Sequence, residues 1–149
     1  MALIKRIRDD LETAIRQGDK TRRSVLRMVL ASLKNAEIAQ QKPLDEAGLI
    51  GVITKEAKQR RESIEAFNKG NRQDLVLQEE AELVILMEYL PEQVSREEVV
   101  AAARKVIDEL GAMGPGDRGK VMSQLMPQMK GKAEGQVVNE VVSELLSSL

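Results

Sequence analysis

The side chains best suited to bind a ligand are basic and lie in the last third of the chain. No acidic residue occurs between positions 118 and 133, and a glycine-rich stretch follows position 130. The predicted RNA-binding residues are Arg118, Lys120, Lys130, Gly131, Lys132 and Gly135. Arginine and lysine make charge-assisted hydrogen bonds to phosphate, and glycine lets backbone N–H groups approach it closely. The alternative is a set of solvated charges, with Lys130 and Lys132 complementing the C-terminal end of a helix.

A stripe of methionines precedes this glycine-rich stretch. Met122, Met126 and Met129 recur at helical spacing together with Leu125. Methionine fills gaps in a core that lacks aromatic residues, but it also forms adaptable surfaces that bind partner proteins. Core packing and a partner-binding groove are therefore the two hypotheses for these residues.

Two further charged clusters have simpler explanations. The basic residues of the stretch Lys58–Arg61 can contact phosphate, but helical ion pairs with Glu56 and Glu62 are the favoured explanation, because pairing at i,i+4 is common. Glu79 and Glu82 share a helix face, and Glu80 points away from it. Because a hard cation needs several converging oxygen ligands, we predict a solvated helix face here and no metal site.

Catalytic side chains are scarce. The chain has no histidine and no cysteine, which excludes thiol nucleophiles, Ser-His pairs and typical zinc sites. We predict no catalytic residues and no cofactor. The two aromatic residues, Phe67 and Tyr89, cannot build a series of stacking platforms for single-stranded RNA. The formal net charge of -1 gives no overall attraction to polyanions.

Hydrophobic periodicity predicts helices that position these residues, and no segment alternates with the period of a strand. Four helices are expected before Pro91, separated at Gly18, at Pro43 and near Gly70. Ser95 with Glu98 forms a capping box, which predicts the start of a fifth helix. Two further helices follow. We predict an all-α protein with an N-terminal bundle over residues 1–91 and a three-helix unit over residues 95–149.

The first fifteen residues mix charges into every turn and contain no long apolar stretch. This pattern predicts neither a signal peptide nor a membrane span, and no membrane partner is expected. A chain without cysteine needs no oxidising compartment. We therefore predict a cytoplasmic location.

Several segments resemble one protein family. The run Gly119–Gly135, GKVMSQLMPQMKGKAEG, and the following VVNEVVSELL resemble the C-terminal module of the GatB/YqeY family. The segments Arg23–Ala31, Lys58–Glu62 and Ala81–Pro91 are similar to free-standing YqeY proteins. The resemblance therefore extends over nearly the whole chain. One departure is Glu134, where the family often has aspartate.

The resemblance implies an all-α protein related to the tail of GatB, a subunit of tRNA-dependent amidotransferase that helps hold the body of the tRNA. That enzyme belongs to the carbon–nitrogen ligases with glutamine as amido donor, but its catalytic cradle has no counterpart here. A non-catalytic tRNA-associated binding protein is thus the leading hypothesis. The alternative is a protein-interaction adaptor that docks on an amidotransferase, an aminoacyl-tRNA synthetase or another enzyme.

Overall fold

The computed structural model describes residues 2–149, which form seven α-helices, one short 3-10 helix and no strand. The α-helices are α1 (Ala2–Gln17), α2 (Lys20–Gln40), α3 (Glu46–Lys69), α4 (Gln73–Met87), α5 (Arg96–Leu110), α6 (Arg118–Met129) and α7 (Gly135–Ser147), and the 3-10 helix is Pro115–Asp117. The predicted all-α fold is confirmed, with four helices before Pro91 and three after it.

The chain divides into two compact units. Unit 1 contains the residues up to Leu90, and unit 2 is Pro91–Leu149. Each unit has its own hydrophobic core.

The ends of the helices in unit 1 lie at residues that suit a helix end, as Gly18 and Asp45 show. Gly18 follows α1 with φ of +70°, a left-handed conformation that glycine adopts without steric cost. Asp45 precedes α3, and its Oδ1 accepts the N–H of Gly48 at 2.8 Å. This bond satisfies one of the backbone donors that a helix N-terminus leaves without a partner.

The core of unit 1 is aliphatic. Side chains from each of its four helices are fully buried, and the largest are Ile7, Leu26, Leu49, Ile53 and Leu86. Each contributes about 1.5–3 kcal/mol on burial, so branched aliphatic residues supply most of this core, which also contains Tyr89.

A hydrogen-bond network around Tyr89 joins the segment after α4 to α1 and α2. The Tyr89 hydroxyl donates to Oδ2 of Asp10 at 2.7 Å and accepts from Nη1 of Arg22 at 3.2 Å. Arg22 also donates to both carboxylate oxygens of Glu88, at 2.6 and 3.2 Å. These bonds raise the pKa of Arg22 and lower that of Glu88. Burial, followed by the bond to Asp10, raises the pKa of Tyr89 to about 12.

The first helix of unit 2, α5, starts after the predicted capping residue, because Oγ of Ser95 accepts the N–H of Glu98 at 3.2 Å. Asp117 occupies the N-cap position of α6, but its carboxylate accepts the N–H of Met113 at 2.9 Å and does not cap the helix. The carboxylate of Asp117 therefore closes the preceding loop, although its position before α6 would also suit a helix cap.

Helix α6 continues through Pro127 to Met129. Proline inside a helix commonly kinks the helix or ends it early, but α6 does not end early at Pro127. Proline at this position removes only one backbone donor, and the last turn still closes through the bond from Lys130 N–H to Met126 O at 2.9 Å. The buried side chains of Leu125 and Met129 pack into the core of unit 2 on either side of the proline.

Candidate functional site

The turn between α6 and α7 is built around Gly131. Lys130 has φ of -57° and ψ of 123°, Gly131 has φ of +79°, and Lys132 N–H donates to Met129 O at 2.8 Å. This is the geometry of a type II β-turn, whose third position favours glycine because φ is positive. Gly131 is buried, although the residues on either side of it are exposed.

The start of unit 2 holds this turn in place. The side-chain amide of Gln93 donates to Gly131 O at 2.6 Å, and Val94 N–H donates to Lys132 O at 3.0 Å. Ala133 N–H, like that of Lys132, donates to Met129 O. The backbone of the turn is therefore largely engaged, and its two lysine side chains project from a fixed support.

Backbone donors are more accessible at the start of α7. Glu134 occupies the N-cap position without capping the helix by its side chain, and the first backbone bond of the helix runs from Val138 N–H to Glu134 O. The preceding N–H groups, including that of exposed Gly135, point out of the helix end. A Cβ atom at Gly135 would meet only Cε of Met126, at 4.0 Å. This end of α7 carries the partial positive charge of a helix N-terminus.

All four predicted cations are exposed. Arg118, Lys130 and Lys132 make no ion pair within residues 2–149, and Lys120 has only a long contact of 3.9 Å to Oδ1 of Asp117. No intramolecular carboxylate neutralises the first three side chains, so they are available to an external anion.

The structure does not bring the six predicted residues together at one point. Arg118 and Lys120 lie at the start of α6, whereas Lys130, Gly131 and Lys132 follow its end. A helix of 12 residues is about 18 Å long. The predicted site therefore consists of two basic clusters, which can contact different phosphates of an extended ligand but not the same one.

The methionine stripe has a mixed environment. Met129 is 7% exposed within the core of unit 2, and Met122 and Met126 are partly buried against that core. In contrast, Met113 is 84% exposed in the loop before the 3-10 helix. The sequence did not single out Met113, because it lies outside any periodic apolar pattern.

A buried ionic cluster in unit 1 is the feature that sequence reasoning missed. Arg60 and Glu56 are 6% and 7% exposed, and Nη1 of Arg60 lies 2.7 Å from Oε2 of Glu56. Glu79 and Glu82 of α4 turn towards Arg60, so the predicted solvated face is corrected for these two residues. Their shared spacing was the available signal, but the face of α4 that packs on α3 depends on tertiary structure.

In this cluster, burial has the largest effect on the pKa of Glu82. Burial raises the pKa of Glu82 more than the positive charge of Arg60 lowers it, and the negative charges of Glu79 and Glu56 raise it further.

Within residues 2–149, no group of three or more acidic, histidine or cysteine side chains has an arrangement suited to a metal ion. In the same residues, no helix has the length and apolar character needed to cross a membrane.

A comparison with known proteins shows which family the chain resembles. The model of the family described as YqeY-like protein matches residues 4–146. Similar proteins named "Altered inheritance of mitochondria protein 41, mitochondrial" include those of the following three species. The Eremothecium gossypii protein is 37% identical over 70% of this chain and 58% of its own length. The Lachancea thermotolerans and Kluyveromyces lactis proteins are 37% and 39% identical, each over 75% of this chain and 62% of its own length.

These relatives correct the predicted location. The chain spans about three fifths of their length, and their names place them in mitochondria. The prediction of a cytoplasmic protein is wrong on this finding. The cytoplasmic prediction rested on the absence of cysteine and on the charged first helix. Neither feature distinguishes the cytosol from the interior of mitochondria. The match over residues 4–146 shows that the chain belongs to the family of YqeY-like proteins.

Proposed function

We propose that this protein is a non-catalytic binding protein whose unit 2 contacts the phosphate backbone of tRNA. The observation that carries the proposal is the set of three exposed cations, Arg118, Lys130 and Lys132, that have no carboxylate partner within residues 2–149. Two of them flank the buried glycine of a rigid turn, close in the chain to the uncapped start of α7. Lysines on a turn whose backbone is held by hydrogen bonds, followed in the chain by the free N–H groups of a helix start, suit an anionic backbone.

The charge pattern supports contact over a limited surface. Unit 2 has seven basic and nine acidic side chains, so it is acidic as a whole. Its attraction to RNA therefore depends on the local absence of acids between positions 118 and 133. The two basic clusters at opposite ends of α6 fit phosphates on separate parts of a folded RNA. Such a surface recognises shape and backbone and does not read bases.

The choice of tRNA over other RNA comes from the resemblance of Gly119–Gly135 to the tail of GatB. The aromatic residues favour a folded RNA over a single strand, since Tyr89 is 4% exposed and is not available for stacking.

The experiment is a comparison of two charge-reversal variants in tRNA binding by fluorescence anisotropy. Lys130→Glu with Lys132→Glu removes two proposed phosphate contacts and is expected to weaken binding by about tenfold or more at low salt. The matched control is Arg104→Glu with Lys105→Glu, which makes the same charge change on exposed side chains of α5 in the same unit. This control is expected to bind nearly as well as the wild type. Equal affinity of wild type and the Lys130/Lys132 variant contradicts the site.

A protein-interaction adaptor is the second candidate, and an apolar surface of α4 favours it. Leu77 and Val84 lie seven residues apart on one side of the helix and are 66% and 63% exposed. Such a stripe suits contact with an amidotransferase, a synthetase or another enzyme. A captured complex that survives nuclease and high salt, and that Val84→Glu abolishes, would favour the adaptor over the RNA-binding protein.

A further inference from the structure

A stripe of basic side chains runs along the solvent-exposed side of α2 in unit 1. It consists of Lys20, Arg23, Arg27 and Lys34, which we call the α2 stripe. At about 3.6 residues per turn, these positions lie within about 60° of one another around the helix axis, roughly opposite the buried side chain of Val29. With a rise of about 1.5 Å per residue, the stripe is about 21 Å long. The tRNA site proposed in unit 2 uses none of these residues.

The four cations of the α2 stripe have no side-chain partner within residues 2–149. Lys20, Arg27 and Lys34 are exposed, and Arg23 is half-buried. Since positive charges three or four residues apart on a helix repel one another, their alignment does not serve the stability of the helix. The stripe is therefore open to an external anion.

Two acidic residues have the spacing to pair with the stripe, and both are engaged elsewhere. Asp19, four residues before Arg23, accepts the backbone N–H of Arg22 at 3.1 Å and also pairs with the Arg22 guanidinium at 3.6 Å. Glu37, three residues after Lys34, accepts a backbone N–H of the loop before α3 at 2.9 Å. Local ion pairing therefore does not explain the stripe.

Two other exposed cations of unit 1 have the partners that the stripe lacks. Lys5 pairs with Asp9 at 3.2 Å and Lys69 pairs with Glu65 at 3.3 Å, each across one helical turn. Such pairs are the ordinary explanation of a charged helix face. The stripe is a different case, because its positive charges are adjacent to one another.

The stripe is a local concentration of charge within a unit that is nearly neutral. Unit 1 has sixteen basic and fifteen acidic side chains. Their distribution is uneven, since α2 has five basic residues and one acidic residue, whereas α4 has four acidic residues and no basic one. Attraction of an anion to unit 1 therefore depends on this face of α2 and not on net charge.

We propose that the α2 stripe binds the phosphate backbone of double-helical RNA. Each strand of a nucleic-acid duplex carries about one phosphate per 3 Å of axis, so the stripe faces several phosphates in a row. Arginine and lysine make charge-assisted hydrogen bonds to phosphate, and such contacts position a protein on a duplex without reading its bases. The choice of RNA over DNA rests on the function proposed for unit 2. The two surfaces are separate, and each can bind RNA without the other.

Two features favour a duplex over other anionic partners. Helix α2 has no aromatic residue, whereas proteins hold single strands largely by stacking the bases on aromatic side chains. Helices that bind membranes insert an apolar face, but Val25, Leu26 and Val29 of α2 are buried in the core of unit 1. An anionic membrane could attract the stripe through charge alone, so vesicles are included in the test.

The test is fluorescence anisotropy of the full chain with a short blunt-ended RNA duplex that is longer than the stripe, titrated at several salt concentrations. The variant Arg27→Glu with Lys34→Glu reverses two exposed charges of the stripe and is expected to weaken binding by about tenfold or more at low salt. The slope of the logarithm of the association constant against the logarithm of salt concentration should be less steep by about 2.

The matched control is Lys5→Glu with Lys69→Glu, which makes the same change in net charge on exposed cations that already have carboxylate partners. This control is expected to bind nearly as well as the wild type, and thermal unfolding shows whether each variant is folded. If the Arg27/Lys34 variant is not folded, the substitutions Arg27→Gln and Lys34→Gln replace it. An equal loss of affinity in the stripe variant and in the control overturns the proposal, because net charge alone would then explain the effect.

A parallel titration with tRNA separates this proposal from the function proposed for unit 2. Loss of duplex binding by the Arg27/Lys34 variant, with unchanged tRNA binding by the Lys130→Glu and Lys132→Glu variant, supports the stripe and contradicts the unit 2 site. Unchanged duplex binding by the Arg27/Lys34 variant overturns the stripe, whatever the effect of the unit 2 variant on tRNA.

Two further results would overturn the choice of partner. One is tighter binding of a DNA duplex of the same sequence than of the RNA duplex. The other is a stripe variant that loses affinity for vesicles of phosphatidylcholine and phosphatidylserine but keeps its affinity for RNA.

Discussion

The hydroxyl of Tyr89 donates a hydrogen bond of 2.7 Å to Oδ2 of Asp10, seventy-nine residues earlier in the chain. Tyr89 follows the end of α4, while Asp10 lies in α1, so this one bond joins the two ends of unit 1. The guanidinium of Arg6 lies 4.7 Å from the centre of the Tyr89 ring and adds a cation–π contact to the same junction.

Tyr89→Phe is therefore expected to destabilise the protein by about 1 kcal/mol, because Asp10 loses a donor and Arg22 an acceptor. Urea unfolding followed by circular dichroism measures the change. Thr21→Ala is a suitable control, since Thr21 is exposed and its substitution should alter the free energy of unfolding by less than about 0.5 kcal/mol. A Tyr89 variant as stable as the wild type would show that water replaces the network without loss.

The same residue predicts a pH dependence. The pKa of Tyr89 is raised from 10.0 to about 12 in the folded protein, chiefly by burial. A raised pKa contributes stability that is fully present below pH 10 and is lost as the pH rises through about 12. The stability difference between wild type and Tyr89→Phe should therefore shrink across this interval. A difference that stays constant from pH 9 to pH 12 would contradict the assigned environment.

Gly131→Ala is expected to destabilise unit 2 by about 1 kcal/mol, because Gly131 has φ of +79°. Gly119→Ala is the matched control: Gly119 lies within α6, and a Cβ atom there has open space. This control should be neutral or stabilising by up to about 1 kcal/mol, as helix propensity predicts. Thermal unfolding of both variants makes the comparison. Equal effects would mean that the turn does not depend on glycine.

Glu82→Gln should stabilise the protein near neutral pH by roughly 1 kcal/mol, since it removes an incompletely paired carboxylate from a largely buried position. Burial raises the pKa of Glu82 above its ordinary value of 4.5. The protonated carboxyl therefore contributes stability below pH 4.5, which is lost as the pH rises through the higher folded-state pKa. The advantage of the glutamine variant should disappear in acid. Urea unfolding at pH 7 and pH 4 tests this, and a variant less stable than wild type at pH 7 would refute it.

The helix ends could be predicted from sequence because their causes are local. Gly18 and Gly111 adopt positive φ after α1 and α5, and Ser95 caps the next helix through a residue three positions away. Each of these interactions lies within a few residues of chain. The turn at Gly131 was likewise predictable, but its burial was not, since Gln93 contributes the hydrogen bond from thirty-eight residues away.

The buried cluster could not be predicted because α4 is apolar on nearly every side. Val76 and Leu86 are buried, whereas Leu77 and Val84 are exposed, and all four are aliphatic. Because the apolar residues do not define one buried side, the sequence does not indicate that the face with Glu79 and Glu82 turns towards α3. Only the packing of α4 on Arg60 determines that orientation.

The proposed function depends most on phosphate contacts by unit 2, and the salt dependence of tRNA binding tests these contacts most directly. Neutralisation of phosphates by three or four cations predicts a slope of roughly -2 to -4 for the logarithm of the association constant against the logarithm of salt concentration. The Lys130→Glu and Lys132→Glu variant should have a slope less steep by about 2. No detectable binding of the wild type at low salt, or a slope near zero, would contradict the proposed function.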